Sequence, residues 1–138
     1  MTNDLYLVDS SVWLEVLPGR AGSESLRQRI DGLLTADVVA IVGMVRLELL
    51  AGARTDSEWQ RLNELLSGLH SLLTDEALWE QAARMGFELR RHGMTVPSTD
   101  LVIAAAAVDA GAVLIHRDHH FDQIAAHLPL KIESYSSV

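Results

Sequence analysis

Four acidic residues occupy positions where a short apolar segment has just ended or a buried helix is about to begin. In an open α/β sheet such positions gather at the carboxyl-terminal edge of the strands, where ligands bind. Carboxylates that meet there repel one another unless a cation lies between them, and oxygen ligands without cysteine favour Mg²⁺, with Mn²⁺ as a substitute. Such a cation suits phosphodiester hydrolysis, because it activates water and offsets the charge that develops on the phosphate. The four residues are Asp9, Glu48, Asp100 and Asp118.

Each of the four acids also has an ordinary structural explanation. The three aspartates could cap helices or stabilise their first turns, where an acid gains about 0.3–1 kcal/mol. Glu48 shares a helical stripe with Val45 and Leu49, so it needs a cation, water, or an ion pair with Arg46 or Arg54. The convergence of all four acids at one edge is what favours a metal site.

Three histidines, His116, His119 and His120, surround Asp118 and raise the alternative of a zinc site. Catalytic zinc motifs such as His-Glu-x-x-His hold their ligands at a helical spacing that this cluster lacks. We therefore expect one or more of these histidines to contact the substrate phosphate or the neighbouring acids.

Strands and helices are predicted to alternate along the chain. Segments typical of buried strands cover residues 5–8, 38–42, 112–115 and 130–133, while 72–73 fits a brief edge strand or a turn. Segments typical of helices cover residues 10–16, 23–35, 44–52, 56–69, 75–92, 101–110 and 121–127. Ser10 is expected to cap the first helix, which leaves Asp9 for a metal. The predicted fold is a three-layer α/β/α domain with a central, mainly parallel sheet of four or five strands.

Length and composition fit one cytoplasmic domain. The 138 residues, 49% hydrophobic and without cysteine, can fill one core without disulfides. The N-terminus lacks a signal-peptide pattern, and no apolar segment reaches the roughly 18 residues that a membrane span needs. We expect a single domain over residues 1–138 with no membrane partner. The net charge of −8 argues against a broad nucleic-acid-binding surface, although a bound cation would supply a local positive field.

The motifs around the four acids resemble those of a known family. They read Leu-Val-Asp-Ser-Ser at Asp9, Arg-Leu-Glu-Leu-Leu-Ala-Gly around Glu48, Ser-Thr-Asp-Leu-Val-Ile-Ala-Ala at Asp100, and His-Arg-Asp-His-His-Phe-Asp from His116. In their order and spacing the chain resembles the PIN-domain ribonucleases, specifically the VapC toxins of bacterial type II toxin–antitoxin systems, over essentially its whole length.

The resemblance implies Mg²⁺-dependent endonucleolytic cleavage of RNA by the four acids, with Ser10 near the metal. It also implies a homodimer that a cognate antitoxin protein inhibits. One position departs from the family pattern, because many relatives carry a further aspartate where this chain has His120. Asp122 is the candidate substitute for that aspartate, so sites for one and for two metal ions both stay open. His120, Asp122 and Arg117 are therefore candidate supporting residues.

Other classes of protein also gather acids at strand ends. A receiver-like Mg²⁺-binding signalling module would need a lysine at the same edge, whereas the only lysine, Lys131, opens the last predicted strand. A haloacid-dehalogenase-like phosphatase would need a second aspartate two residues after Asp9, where Ser11 stands. A catalytically inactive binding domain stays open, because residue types alone do not show that a metal binds.

Overall fold

A computed structural model describes residues 4–20 and 22–136 of the chain. Within these residues five strands form one sheet. The strands are β1 (Tyr6–Val8), β2 (Val39–Val42), β3 (His70–Leu72), β4 (Val113–His116) and β5 (Lys131–Ser134). Their order across the sheet is β3-β2-β1-β4-β5, and every neighbouring pair is parallel. The prediction of a mainly parallel sheet of four or five strands is therefore confirmed.

Helices connect the strands and cover the sheet. The described residues form seven: α1 (Ser10–Val16), α2 (Glu24–Thr35), α3 (Gly43–Ala51), α4 (Asp56–Ser67), α5 (Glu76–Arg91), α6 (Ser98–Ala110) and α7 (His119–His127). Strands β2 and β4 are buried along almost their whole length. Parallel strands buried in this way are covered on both faces, which gives the predicted α/β/α arrangement. Among the described residues, no helix combines the length and apolar character needed to cross a membrane.

Helix α6 positions one of the candidate acids. All its residues from Val102 to Ala107 are buried, which explains a segment that is apolar nearly all round. Helix α5 packs against it so closely that a Cβ added at Gly86 would come within 2.9 Å of Leu101 Cδ1. Because Leu101 lies in the first turn of α6, this packing holds Asp100 beside it.

The boundaries of α6, α7 and β3 differ from the prediction. Helix α6 begins at Ser98 rather than at residue 101, because a polar first turn follows Pro97, whose fixed φ suits a helix start. Helix α7 begins at His119 rather than at residue 121. Strand β3 exists, but it ends where the segment 72–73 was expected to begin. Two of its three residues are exposed, so no apolar pattern marks this edge strand.

Candidate active site

The four candidate acids lie at the carboxyl-terminal edge of the sheet, and we call them the acidic site. Asp9 follows β1 directly, and its backbone amide donates to the carbonyl of Ile115 in β4 at 2.9 Å. Glu48 lies in α3, the helix that follows β2. Asp100 lies in the first turn of α6, and Asp118 is the N-cap of α7, two residues after β4. The parallel topology thus brings together four residues that are distant in the sequence.

Asp9 is only 4% exposed, and its carboxylate is held by one neighbouring residue. Its Oδ2 accepts hydrogen bonds from the Ser11 backbone amide at 3.1 Å and from Ser11 Oγ at 2.5 Å. The same Oγ accepts a bond from the backbone amide of Arg117 at 3.0 Å. Ser11 therefore orients the Asp9 carboxylate and ties the start of α1 to the loop after β4.

The prediction that Ser10 caps α1 is wrong. Asp9 keeps an extended backbone and is itself the N-cap, whereas Ser10 already lies within the helix. The Ser10 hydroxyl instead donates to Glu48 Oε1 at 3.2 Å. Ser10 therefore contacts the acidic site through Glu48.

Glu48 is an exposed residue, but its carboxyl group lies close to other acids. Local desolvation raises the pKa of this group, the hydrogen bond from Ser10 opposes the change, and the charges of Asp9 and Asp100 raise the pKa further. Arg46, a candidate ion-pair partner in the sequence, donates instead to side chains of α4. The Glu48 carboxylate therefore faces carboxylates rather than this arginine.

Asp100 and Asp118 are bridged by His120. The Nδ1 atom of His120 lies 3.0 Å from Asp100 Oδ2 and 3.2 Å from Asp118 Oδ1. Burial raises the pKa of Asp100, as do the nearby charges of Asp118 and Asp9, while His120 acts in the opposite direction. The expectation that a histidine would contact the acids holds for His120.

His116 has a different environment from the other two histidines. It is fully buried, and its Nδ1 accepts a hydrogen bond from the Asp118 backbone amide at 3.1 Å. Burial lowers the pKa of this imidazole and so favours its neutral form. Because Nδ1 accepts the amide bond, the proton lies on Nε2, which is 3.3 Å from Asp122 Oδ1. His119, by contrast, is exposed and packs against His120, with the two ring centroids 4.5 Å apart. The three histidines therefore do not form one cluster, because His116 faces Asp122 whereas His119 and His120 lie beside Asp118.

The donor set fits a divalent cation. Burial raises the pKa values of both Glu48 and Asp100, and neighbouring carboxylates raise them further, so the site concentrates negative charge that a cation would offset. Within the part of the chain that the structure describes, ligand atoms of Asp118, His119 and His120 all lie within 4.8 Å of one another. Oxygen and imidazole donors are thus available at one edge of the sheet.

Known proteins are similar in sequence to this chain over most of its length. A family model described as "PIN domain" matches residues 6–127. The chain belongs to the PIN-domain family. It is 35% identical to VapC ribonuclease Mb1587 of Mycobacterium bovis over 135 residues, 95% of this chain and 99% of the relative. It is 33% identical to ribonuclease VapC51 of Mycobacterium tuberculosis over 124 residues, 88% of this chain and 85% of the relative. The resemblance based on the four motifs is confirmed.

Solved structures share the fold of this PIN domain. VapBC2 from Rickettsia felis, in a complex bound to a promoter DNA fragment, matches with a TM-score of 0.78 at 20% identity, covering 96% of this chain and 99% of the other. Mycobacterium tuberculosis VapC20, described as a sarcin-ricin loop cleaving toxin, matches with a TM-score of 0.61 at 21% identity, covering 89% and 95%. These matches show a shared fold.

Two predicted supporting residues of the PIN domain have partners other than the four acids. The Arg117 guanidinium pairs with Glu15 of α1, and Asp122 faces the buried His116. Among the described residues, neither side chain hydrogen-bonds to the acidic site. Sequence reasoning missed Ser11, because the two consecutive serines after Asp9 do not reveal which hydroxyl turns back to the carboxylate.

Replacing Ser11 by alanine should lower the rate of RNA cleavage by this PIN domain by about tenfold, because the carboxylate of Asp9, the predicted metal ligand, would lose the hydroxyl group that orients it. Ser11→Thr keeps the hydroxyl and should restore most of the rate. Cleavage rates across a Mn²⁺ titration measure both effects, since a looser Asp9 carboxylate should also raise the Mn²⁺ concentration required. Ser57→Ala, an exposed serine of α4, is the matched control. An unchanged rate and metal requirement in Ser11→Ala would show that Ser11 does not position Asp9.

Proposed function

We propose that this chain is a metal-dependent endoribonuclease that acts as the toxin of a toxin–antitoxin pair. One observation carries the proposal: four carboxylates gather at the carboxyl-terminal edge of the sheet, where burial and neighbouring charges raise the pKa values of Glu48 and Asp100. The relatives support the substrate class, since a protein 35% identical over 95% of this chain is named a VapC ribonuclease.

In this proposal Asp9 and Asp100 hold Mg²⁺, or Mn²⁺ in its place, and Glu48 and Asp118 complete the site directly or through water. The bound ion would supply a hydroxide-like water at neutral pH and offset the charge on the scissile phosphate. The chain's own contribution is orientation, because Ser11 fixes the Asp9 carboxylate. Burial of Asp9 at 4% exposure also keeps solvent from competing for its oxygens.

The receiver-like alternative lacks its lysine. Lys131 is the first residue of β5 and pairs in register with Val113, the first residue of β4. It therefore lies at the amino-terminal edge of the sheet, where its ammonium group is 3.5 Å from Asp4 Oδ1. Lys131 lies at the opposite edge of the sheet from the four acids, so it could not contact a phosphoryl group bound among them. The nuclease is therefore the better supported function.

Metal removal tests the proposed reaction. Purified protein should cut a structured RNA at internal positions in Mg²⁺ or Mn²⁺, excess EDTA should stop cleavage, and added metal should restore it. Single-stranded DNA of the same sequence tests whether the 2′-hydroxyl is required. Cleavage that continues in EDTA contradicts the metal mechanism. Failure to cut any RNA in either metal favours the catalytically inactive binding domain.

An antitoxin protein and a second copy of the chain are the proposed partners. Support for the antitoxin comes from the solved neighbours, several of which are VapBC or toxin–antitoxin complexes. Induction of the chain should arrest growth, and mapping RNA ends in those cells would identify the RNA that is cut. Co-expression of the cognate antitoxin should relieve the arrest. Light scattering of the purified chain tests the homodimer.

A further inference from the structure

Three metal-binding atoms from two helices converge at His120. Its Nδ1 lies 3.0 Å from Asp100 Oδ2, on α6, and 3.2 Å from Asp118 Oδ1, at the start of α7. Ligand atoms bound at about 2.1 Å to one octahedral ion lie about 3.0 Å apart along an edge of the octahedron. The two spacings at His120 therefore match those around a single small dication.

Local bonds hold this arrangement. The His120 backbone amide donates to Asp118 Oδ1 at 3.0 Å, which fixes that carboxylate next to the imidazole. Asp100 is held in the first turn of α6, a helix buried from Val102 to Ala107. His119 lies beside this arrangement: it offers a ring nitrogen within 4.8 Å of ligand atoms of Asp118 and His120 and packs on the His120 ring.

We propose that Asp100, Asp118 and His120 form a mixed nitrogen and oxygen site that selects a divalent transition-metal ion, such as Mn²⁺ or Co²⁺, over Mg²⁺. This inference rests on the proposed function and names the metal for the same site.

The nitrogen donor is the reason for the selectivity. Mg²⁺ takes oxygen ligands and water almost exclusively, and an imidazole adds little to its binding. Transition-metal ions bind imidazole well, and their affinity for such sites rises from Mn²⁺ towards Cu²⁺. The alternative is that His120 only donates a hydrogen bond that holds the two carboxylates in place. In that case replacing the nitrogen by an oxygen would leave the preference between metals unchanged.

Metal binding can be measured without RNA. Electron paramagnetic resonance of free Mn²⁺ gives the dissociation constant for Mn²⁺, and competition with Mg²⁺ gives the preference. His120→Asp, which replaces the nitrogen donor by an oxygen donor, should reduce the preference for Mn²⁺ over Mg²⁺ by about tenfold or more. His127→Gln, an exposed histidine at the other end of α7, should leave the preference unchanged. An unchanged preference in His120→Asp overturns the inference.

Pulsed electron paramagnetic resonance provides a second readout that needs no variant of His120. Mn²⁺ bound to the wild-type chain should show coupling to an imidazole ¹⁴N nucleus, and His119→Gln should retain it. Absence of ¹⁴N coupling in the wild type, or its loss in His119→Gln, overturns the assignment to His120. The outcome is separate from the proposed function: metal-dependent RNA cleavage without ¹⁴N coupling would refute only the nitrogen ligand, whereas ¹⁴N coupling without cleavage would refute only the nuclease.

Discussion

Asp9→Asn should reduce the rate of RNA cleavage by about a thousandfold or more at saturating Mg²⁺ or Mn²⁺. The substitution removes the negative charge from the most enclosed carboxylate of the acidic site but keeps its shape. Asparagine retains an oxygen that can accept the bonds from Ser11, so the cap on α1 should survive. The effect should therefore appear in catalysis and metal binding, with thermal stability little changed.

Asp109→Asn is the matched control for this variant. Asp109 is an exposed aspartate near the carboxyl-terminal end of α6. It therefore lies at the end of this helix opposite Asp100 and the acidic site. Both proteins are compared in single-turnover cleavage of one labelled RNA, together with their melting temperatures. An Asp9→Asn protein that folds and cleaves within a few-fold of the wild-type rate would refute a catalytic role for Asp9.

The edge that carries the acidic site could be predicted from sequence because strand ends are marked by abrupt changes of residue type. The apolar segment that ends at Val8 is followed at once by Asp9, and the β-branched segment that ends at Val42 precedes the helix of Glu48. Alternation of strands and helices then fixes parallel pairing, which places these ends at one edge. These two rules place Asp9 and Glu48, and Asp118 after β4 in the same way, whereas Asp100 opens a helix that follows another helix.

Side-chain partners could not be predicted in the same way. Ser10 and Ser11 are consecutive and chemically identical, yet one donates to Glu48 and the other to Asp9. The difference depends on the direction of each side chain around the first turn of α1, which no spacing rule specifies. His120 illustrates the same limit, because its contact with Asp100 joins residues 20 positions apart.

The short edge strand β3 was ambiguous for a different reason. Its residues are mostly exposed and pair with β2 on one side, so burial does not select apolar side chains there. The start of α6 was hidden by its polar first turn, since the apolar pattern begins only where the helix enters the core. In both cases tertiary contacts decide the boundary, and the sequence pattern does not.

Asp100→Asn should abolish cleavage and also stabilise the metal-free protein. Burial and the charges of Asp118 and Asp9 raise the pKa of Asp100 in the folded state. A carboxyl group with a raised folded-state pKa costs stability at pH values above that pKa, where it is charged in both states. The cost shrinks as the pH falls through the folded-state pKa, and it is gone below the unfolded-state pKa. At pH 7 the neutral asparagine should therefore raise stability by about 1 kcal/mol, or the melting temperature by about 3 °C.

Melting curves measured in EDTA between pH 7 and pH 3, and again with Mn²⁺, test this expectation. The advantage of Asp100→Asn over wild type should disappear at the acid end, and Asp109→Asn should show no such advantage at any pH. Added Mn²⁺ should reverse the order, because the wild type binds the ion and gains stability in proportion to the logarithm of its concentration. If the metal-free Asp100→Asn protein is less stable than wild type at pH 7, the contact of Asp100 with His120 outweighs its burial and its repulsion by Asp118 and Asp9. The acidic site would then be organised before the cation arrives, rather than held together by it.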